Sequence, residues 1–378
     1  MPNKHAVPYN ADMATIIDQT LADEYGVKHT KTLNRMLQKL QSDCQRWVTP
    51  MPGCKGKSVE LPFIGKNTMR RRTARDEDVV SKQTMFGNRH MYPSSFINAT
   101  NFDNDDEMYN TNIDWSISAI VREDMSAIER LKDELIMGTM IDTDDSSPTH
   151  GEYIKMTALT APQNVYEAAG GILGTNYVGK NGTQLVDLPD TDNGNDKTTN
   201  VVPYDLGVSG NTATGVGITL VKIVAAIMKL KARKALVKGV TTGVLALTPR
   251  QIAEIQLWES ANNKNYGFGN LVDGIHNRIL GVDILETDVL PLVKVKESPA
   301  TYARVCPLFI KEHMFFGVWG NAKVRIDAQL QNKASLGHVV TTCAMGAARK
   351  FEESVIQIQC DESELTMTDV WAKAAASA

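Results

Sequence analysis

The sequence predicts a mixed α+β protein with more strand in its second half than in its first. Three observations carry that prediction. One is a long amphipathic stretch over 112–140, another is a basic helical stretch over 219–238, and the third is a series of alternating apolar and polar runs from 304 to 360.

The first stretch reads NIDWSISAIVREDMSAIERLKDELIMGTM. Ile117, Val121, Asp124, Ile128, Leu131 and Leu135 recur at steps of three and four, and Ile120 and Met125 widen the stripe. Only Asp124 breaks its apolar character. Arg122, Glu123, Glu129, Arg130, Lys132, Asp133 and Glu134 supply polar faces. This is the period of an amphipathic helix. Asp114 suits its N-cap, and Gly138 sits where a long helix would loosen. About 24 residues at ~1.5 Å each span roughly 36 Å, so the helix needs a broad surface to lie on.

The remaining elements follow in chain order. Residues 1–30 read as an arm punctuated by Pro2, Pro8 and Gly26, with a small cluster at Met13, Ile16, Ile17 and Leu21. Residues 32–48 read as a helix with a stripe at Leu33, Met36, Leu37 and Leu40, ended by Thr49-Pro50-Met51-Pro52-Gly53. Residues 58–64 and 95–99 are strand-like and flank a charged connector, which predicts a protruding hairpin or long loop. Residues 142–215 read as surface loops with short strands. In 219–238 the apolar positions are Leu220, Ile223, Val224, Ile227, Met228, Leu230 and Leu236. A strand over 243–247 follows, and Thr248-Pro249 opens another helix with Pro at its first position. Strand and turn then alternate from 274 to 291. Strands are expected at 306–310, 314–318, 322–330 and 339–349, and 354–359 reads as a strand with one buried face.

The bulk properties exclude several classes. A chain of 378 residues buries a sizeable core. A formal charge of -4 does not indicate a dedicated duplex-DNA binder, although local basic patches can still meet nucleic acid. Cys44, Cys54, Cys306, Cys343 and Cys360 are odd in number, widely spaced and without a CxxC, which predicts free thiols in a reducing compartment. The start has no apolar core of a signal peptide. The most apolar window, 216–228, is broken by Lys222 and is too short to cross a bilayer, so a soluble protein is expected.

No motif of catalysis or cofactor binding is complete in the sequence. Gly56-Lys57-Ser58 lacks the upstream glycine of a phosphate loop, since position 51 is Met. The glycines of 207–217 lack the context of a dinucleotide site. His5, His29, His90, His150, His276, His313 and His338 form no HxH, HxxxH or HExxH. No G-x-S-x-G occurs. Asp190, Asp192, Asn193 and Asp196 resemble a cation loop, but Gly194 is one position early and Val201 stands where a closing Glu belongs. No catalytic residue, cofactor or metal ligand is nominated.

Two charged runs remain. Arg70, Arg71, Arg72 and Arg75 are followed directly by Asp76, Glu77 and Asp78. These opposed blocks read either as a solvated loop or as an arm that pairs its charges on a neighbouring subunit. The helix over 219–238 carries Lys222, Lys229, Lys231, Arg233 and Lys234 with no acid among them. It reads as a solvated or core-edge helix, as an inward-facing surface that screens phosphates without reading bases, or as a subunit contact.

The order of these features resembles a known family. The long helix, then GVLALTPRQIAEI, then GNLVDGIHNRILGVDILETDVLP, and finally KEHMFFGVWGNAKVRIDAQ and GAARKFEESVIQIQCDES carry the likeness. The glycine-punctuated part is Gly274, Ile275, Ile279, Gly281, Val282 and Ile284, then Leu290-Pro291. Over roughly residues 50–365 the chain resembles the major capsid protein of tailed phages, with the Hong Kong 97-type fold. The resemblance implies an N-terminal arm at 1–54, an extended hairpin loop at 55–111 and a spine helix of a peripheral domain at 112–141. It further implies an axial domain at 219–335 and a return to the peripheral domain with a tail at 336–378. The loop-rich segment 142–218 is the part it explains least and is expected to be an insertion on the outer face. It implies a structural protein of the virion, assembled in the host cytoplasm as hexamers and pentamers of itself around double-stranded DNA. Scaffold, portal and decoration proteins are the expected partners, without a membrane or a cofactor. The rival readings are a minor virion or scaffold protein that forms a small ring, and an enzyme whose site is assembled from distant residues.

Overall fold

The computed structural model describes residues 41–65, 69, 71, 83–84, 86–103, 117–156, 170–178, 184–186, 188, 200–206, 216–237, 239–256, 278–297, 300–327 and 336–362. A single 3₁₀ turn at Gln45–Trp47 leads into strand β1 (Thr49–Pro52), the hairpin β2 (Val59–Ile64) and β3 (Phe86–Met91), and β4 (Ser94–Asp103). The long helix α1 (Ile117–Met137) is followed by the pair β5 (Thr139–Ile141) and β6 (Tyr153–Lys155), then the short β7 (Asn176–Val178), β8 (Gln184–Val186) and β9 (Val201–Val202). Next come α2 (Leu220–Ala232), β10 (Gly243–Leu247) and α3 (Pro249–Gln256). The rest is strand: β11 (Arg278–Ile279), β12 (Val282–Glu286), β13 (Leu292–Glu297), β14 (Ala300–Ile310), β15 (Met314–Asp327), β16 (Leu336–Arg349) and β17 (Val355–Cys360). The expected mixed α+β character is what the structure has.

The broad surface that α1 needs is a four-stranded sheet in the order β1-β15-β16-β4, and α1 lies on β16 and β15. β16 pairs antiparallel with both β15 and β4, while β1 runs parallel to β15. Two separate strands were expected where β15 runs as one. Register shifts between Val318 and Gly320 and between Gly320 and Lys323 disturb the apolar alternation without ending the pairing.

A seven-stranded sheet has the order β11-β12-β10-β14-β17-β9, with β13 added on β14. α2 packs over β17 and β9, and α3 packs beside β10. β10 and the Pro-initiated α3 lie where the sequence put them. Thr248 Oγ1 accepts from Gln251 N at 3.3 Å, and Gln251 Oε1 accepts from Thr248 N at 3.1 Å, so the start of α3 is closed reciprocally. β17 departs from expectation. All six of its residues are buried, because it is an interior strand between β14 and β9 and lies beneath α2. Its polar positions are accommodated inside, as where Lys155 Nζ donates to Gln357 Oε1 at 2.5 Å.

A third sheet, β2-β3-β7-β8, holds the hairpin. The strand expected at 58–64 pairs with the unforeseen β3, whereas the other flanking strand expected at 95–99 is part of β4 and pairs with β16 in the long sheet. The expected helix over 32–48 is corrected where it can be seen. Residues 41–48 carry only the turn at Gln45–Trp47, and 32–40 lie outside the described residues. All five cysteines are free thiols.

Candidate assembly surfaces

The C-terminal end of α1 is where the sheets meet. Gly138 adopts φ +74° and ends the helix, its N–H donating to Glu134 O at 2.8 Å. The last carbonyls of the helix are taken up by a distant loop. Ile172 N donates to Ile136 O at 2.8 Å and Leu173 N to Met137 O at 2.9 Å. This needs backbone against backbone. A Cβ on Gly171 would lie 2.4 Å from Leu135 O and 2.6 Å from Gly138 Cα. A Cβ on Gly170 would lie 2.1 Å from Ala347 O. The fully buried Arg349 at the end of β16 donates from Nη1 to Ile172 O at 3.3 Å and also to Gly174 O. Asn176 Oδ1 accepts from Arg349 N at 3.0 Å, while Asn176 Nδ2 donates to Gly171 O and Gly174 O. Helix, long sheet and hairpin sheet are thereby tied at one point. Residues 170–178, read from sequence as part of a loop-rich outer segment, supply the tie.

Two carboxylates fasten the length of α1. Asp124, the one break in the apolar stripe, is buried and faces the sheet. Its Oδ1 accepts from Asn98 Nδ2 at 2.6 Å, and its Oδ2 accepts from Thr341 Oγ1 at 2.5 Å. It links the helix to β4 and β16. Asp133, which the sequence places among the residues of the polar faces, is instead fully buried. Asp133 accepts from Ser42 Oγ at 2.6 Å and from Cys44 N at 3.0 Å, so it holds the turn that precedes β1. A groove between α1 and β4 is lined by Phe96, Ile97, Leu131, Glu134 and Cys343. Burial pushes the Glu134 carboxyl up to about 7; Arg130 pulls it down, and Asp133 and Asp288 push it further up.

The hairpin is anchored at its base and open at its far end. Arg89 is buried and donates from Nη2 to Glu352 Oε2 at 2.6 Å and to Lys350 O at 3.2 Å. Glu352 Oε1 also lies 3.7 Å from Arg349 Nε, so one carboxylate serves two buried guanidinium groups. Phe63 crosses Phe351 edge to face at 5.4 Å between centroids. Toward the connector, Ile64 and Phe86 are directly paired and stand 66% and 76% exposed.

The helix nominated for its basic residues is not uniformly basic on its surface. Lys222 is fully buried, and its Nζ donates to Val216 O at 2.6 Å, Gln359 O at 2.8 Å and Tyr204 O at 2.9 Å. It therefore faces the core of the subunit, which withdraws it from the proposed inward surface. Burial pushes its pKa down, while Cys360, Cys306, Asp361 and Asp205 oppose that shift. Lys229 Nζ donates to Val201 O, and Arg233 Nη1 donates to Asn200 Oδ1 at 2.6 Å. Lys231 and Lys234 are exposed. Sequence alone missed the burial of Lys222 because two of its carbonyl partners, on Tyr204 and Gln359, belong to other elements of the fold.

Of the charged connector, Arg71 is described and exposed. Arg70, Arg72, Arg75, Asp76, Glu77 and Asp78 lie outside the described residues, as do Asp190, Asp192, Asn193 and Asp196. Among the described residues no group of three or more His, Cys, Asp or Glu is placed to hold a metal ion, and no helix is long and apolar enough to cross a membrane.

The comparisons with known proteins agree with this architecture. Residues 21–362 match the family described as phage capsid protein. No curated protein matches the chain by sequence. Among solved structures, the chain is similar to the capsid of Ralstonia phage GP4, with a TM-score of 0.57 at 12% identity, covering 91% of this chain and 97% of that one. It is also similar to the capsid structure of cyanophage P-SCSP1u, with a TM-score of 0.56 at 11% identity and coverage of 90% and 94%. A third is Mycobacterium phage Ogopogo, with a TM-score of 0.54 at 12% identity and coverage of 90% and 98%. At such identities the likeness is one of fold, and that fold is the Hong Kong 97-type capsid architecture.

Proposed function

The chain belongs to the phage capsid protein family, a major capsid protein that forms the icosahedral shell of a phage head, and from that premise we propose how its parts divide the work. The observation that carries the premise is the family match across residues 21–362, which takes in all the sheets and helices described above.

In this reading the subunit has a rigid frame and several outward faces. α1, the long sheet and the glycine loop hold the lattice angle. The hairpin around 55–111 overlies a neighbouring subunit, with Ile64 and Phe86 buried there and the run from Arg70 to Asp78 pairing its charges. Residues 1–54 form an arm, and 219–335 surround the centre of each hexamer and pentamer. Their many weak contacts add up across a closed shell. Lys231 and Lys234, at the C-terminal end of α2, are the part of the basic helix open to packaged DNA or to another copy. The overall charge of -4 suits a lumen that tolerates DNA without gripping it. Scaffold, portal and decoration proteins would complete the head, assembled in the host cytoplasm.

Light scattering with negative-stain microscopy tests this on the full chain, alone and with its neighbouring genes expressed. Closed shells tens of nanometres across, built of hexamers and pentamers, are the expected result. A stable monomer or small ring under every condition would reject it in favour of a minor ring-forming protein.

A further inference from the structure

α2 is apolar on both faces. Toward the sheet it buries Ile223, Ala226, Ile227 and Leu230. The one charge in its first nine residues, Lys222, is buried with them. Outward it presents Val221, Val224 and Met228, which are 56%, 38% and 64% exposed. At about 100° per residue these three share a face with Ala225 and Lys231. A soluble helix normally places its charge outside and its valines inside. Here the arrangement is reversed, so the outer face has the character of a buried surface with nothing from the described residues upon it.

We propose that this face of α2 is covered, in the assembled shell, by the β11–β12 edge of a second copy of the chain. The inference rests on the capsid reading and names a contact within it. α2 lies over β17 and β9, at one end of the seven-stranded sheet, and β11 is the strand at the other end. A ring of head-to-tail contacts joins one side of a domain to the opposite side of the next. The two surfaces also match in character along their length. The outer face of α2 runs from apolar residues to the exposed Lys231 and Lys234. The β11–β12 edge carries Leu280, 46% exposed in a tight turn, and the exposed Glu286 at the end of β12, while the exposed Arg278 of β11 is paired with Asp283 at 3.3 Å. Leu280 meets the valine–methionine stripe, and Glu286 faces the lysines.

Two full-length variants test this. Met228→Cys combined with Leu280→Cys, oxidised in assembled particles, is expected to give a ladder of cross-linked chains up to the capsomer number on a non-reducing gel. Each single variant is expected to give none, since four native thiols are buried and Cys54 is half-buried. Val224→Asp combined with Met228→Asp is expected to lower shell yield by roughly tenfold or more, with the melting of the dissociated subunit unchanged. Shells that form without cross-linking in the double-cysteine variant would overturn the contact while leaving the capsid reading intact. So would normal shell yield in the aspartate variant, which leaves DNA or solvent on this face. Unfolding of the dissociated aspartate variant would show that the chain covers the face itself, and would also overturn it. Failure of the wild-type chain to form any shell would reject the capsid reading as well, and is seen separately.

Discussion

At the C-terminal end of α1 the chain closes its own contacts. Carbonyls 136 and 137 find donors in a loop 36 residues further along, Asp133 finds Ser42 and Cys44 some ninety residues back, and Arg349 fastens the loop from β16. At the tip of the hairpin and on the outer face of α2 the chain leaves apolar side chains in water. The difference separates two kinds of stability. The first region is settled when a subunit folds; on the reading proposed above, the second is settled when a second copy arrives. A shell subunit needs both, because the frame must keep its angles while the faces still seek partners.

The largest effect that would break this comparison is expected at Gly171. Its φ is +77° and an added Cβ meets backbone atoms at 2.4–2.6 Å, so no side chain can move aside. Gly171→Ala is expected to cost about 4 kcal/mol or more and to leave little soluble protein. Gly281→Ala is the control. Its φ is +85°, but nothing lies within 4 Å of the added Cβ, and the cost is expected near 1–2 kcal/mol. Equal melting temperatures for the two variants would show that the junction is not tightly closed.

Asp133→Ala comes next. It removes the acceptor of a buried hydroxyl and a buried N–H, at an expected cost of about 3 kcal/mol. Hydrogen exchange would report the change first at residues 42–47. Unaltered protection there would mean that the turn before β1 is held by something other than α1.

Glu134 tests whether the groove beside α1 belongs to the closed or the open region. Its carboxyl ionises at about 7 in the folded chain, against an ordinary value near 4.5. The folded state therefore holds a proton that the unfolded chain has already lost at intermediate pH. Stability is highest below about pH 4.5, as far as this group is concerned, and falls as the pH rises toward 7. Glu134→Gln should flatten that dependence and raise stability at pH 7.5 by about 1–2 kcal/mol, allowing for the solvent that reaches a half-buried site. An unchanged slope between pH 4.5 and 7 in the variant would remove Glu134 as the cause.

The open faces and the closed junction were not equally legible in the sequence. α1 was visible from its period, and β10 with the start of α3 from a five-residue apolar run followed by Thr248-Pro249. Local pattern sufficed for these because neighbouring residues set them. The junction was not visible. The GGILG run at 170–174 reads as a loop until its backbone is seen against α1, since what selects those glycines is a contact with residues more than thirty positions away. Asp133 and Lys222 failed for the same reason: each occupies a helix position like that of a solvated charge, and only the distant oxygen or nitrogen partners place it inside. Asp124 read from the sequence only as a break in the apolar stripe, and its buried partners Asn98 and Thr341 lie on β4 and β16.

The smallest effect on the isolated subunit is expected at the hairpin tip, and it separates the two regions most sharply. Ile64 and Phe86 pair with each other and stand largely exposed, so Ile64→Ser combined with Phe86→Ser should shift subunit stability by no more than about 0.5 kcal/mol. If the hairpin lies on a neighbour, the same change removes apolar surface from a contact repeated across the whole shell. Assembly followed by light scattering should then slow, and the shells that form should dissociate at lower denaturant than those of the wild type. A substitution that leaves folding alone and weakens only the particle marks a face reserved for another copy. Loss of subunit stability without loss of assembly would instead place the tip with the closed frame, and the hairpin would have to be read as a brace for its own chain.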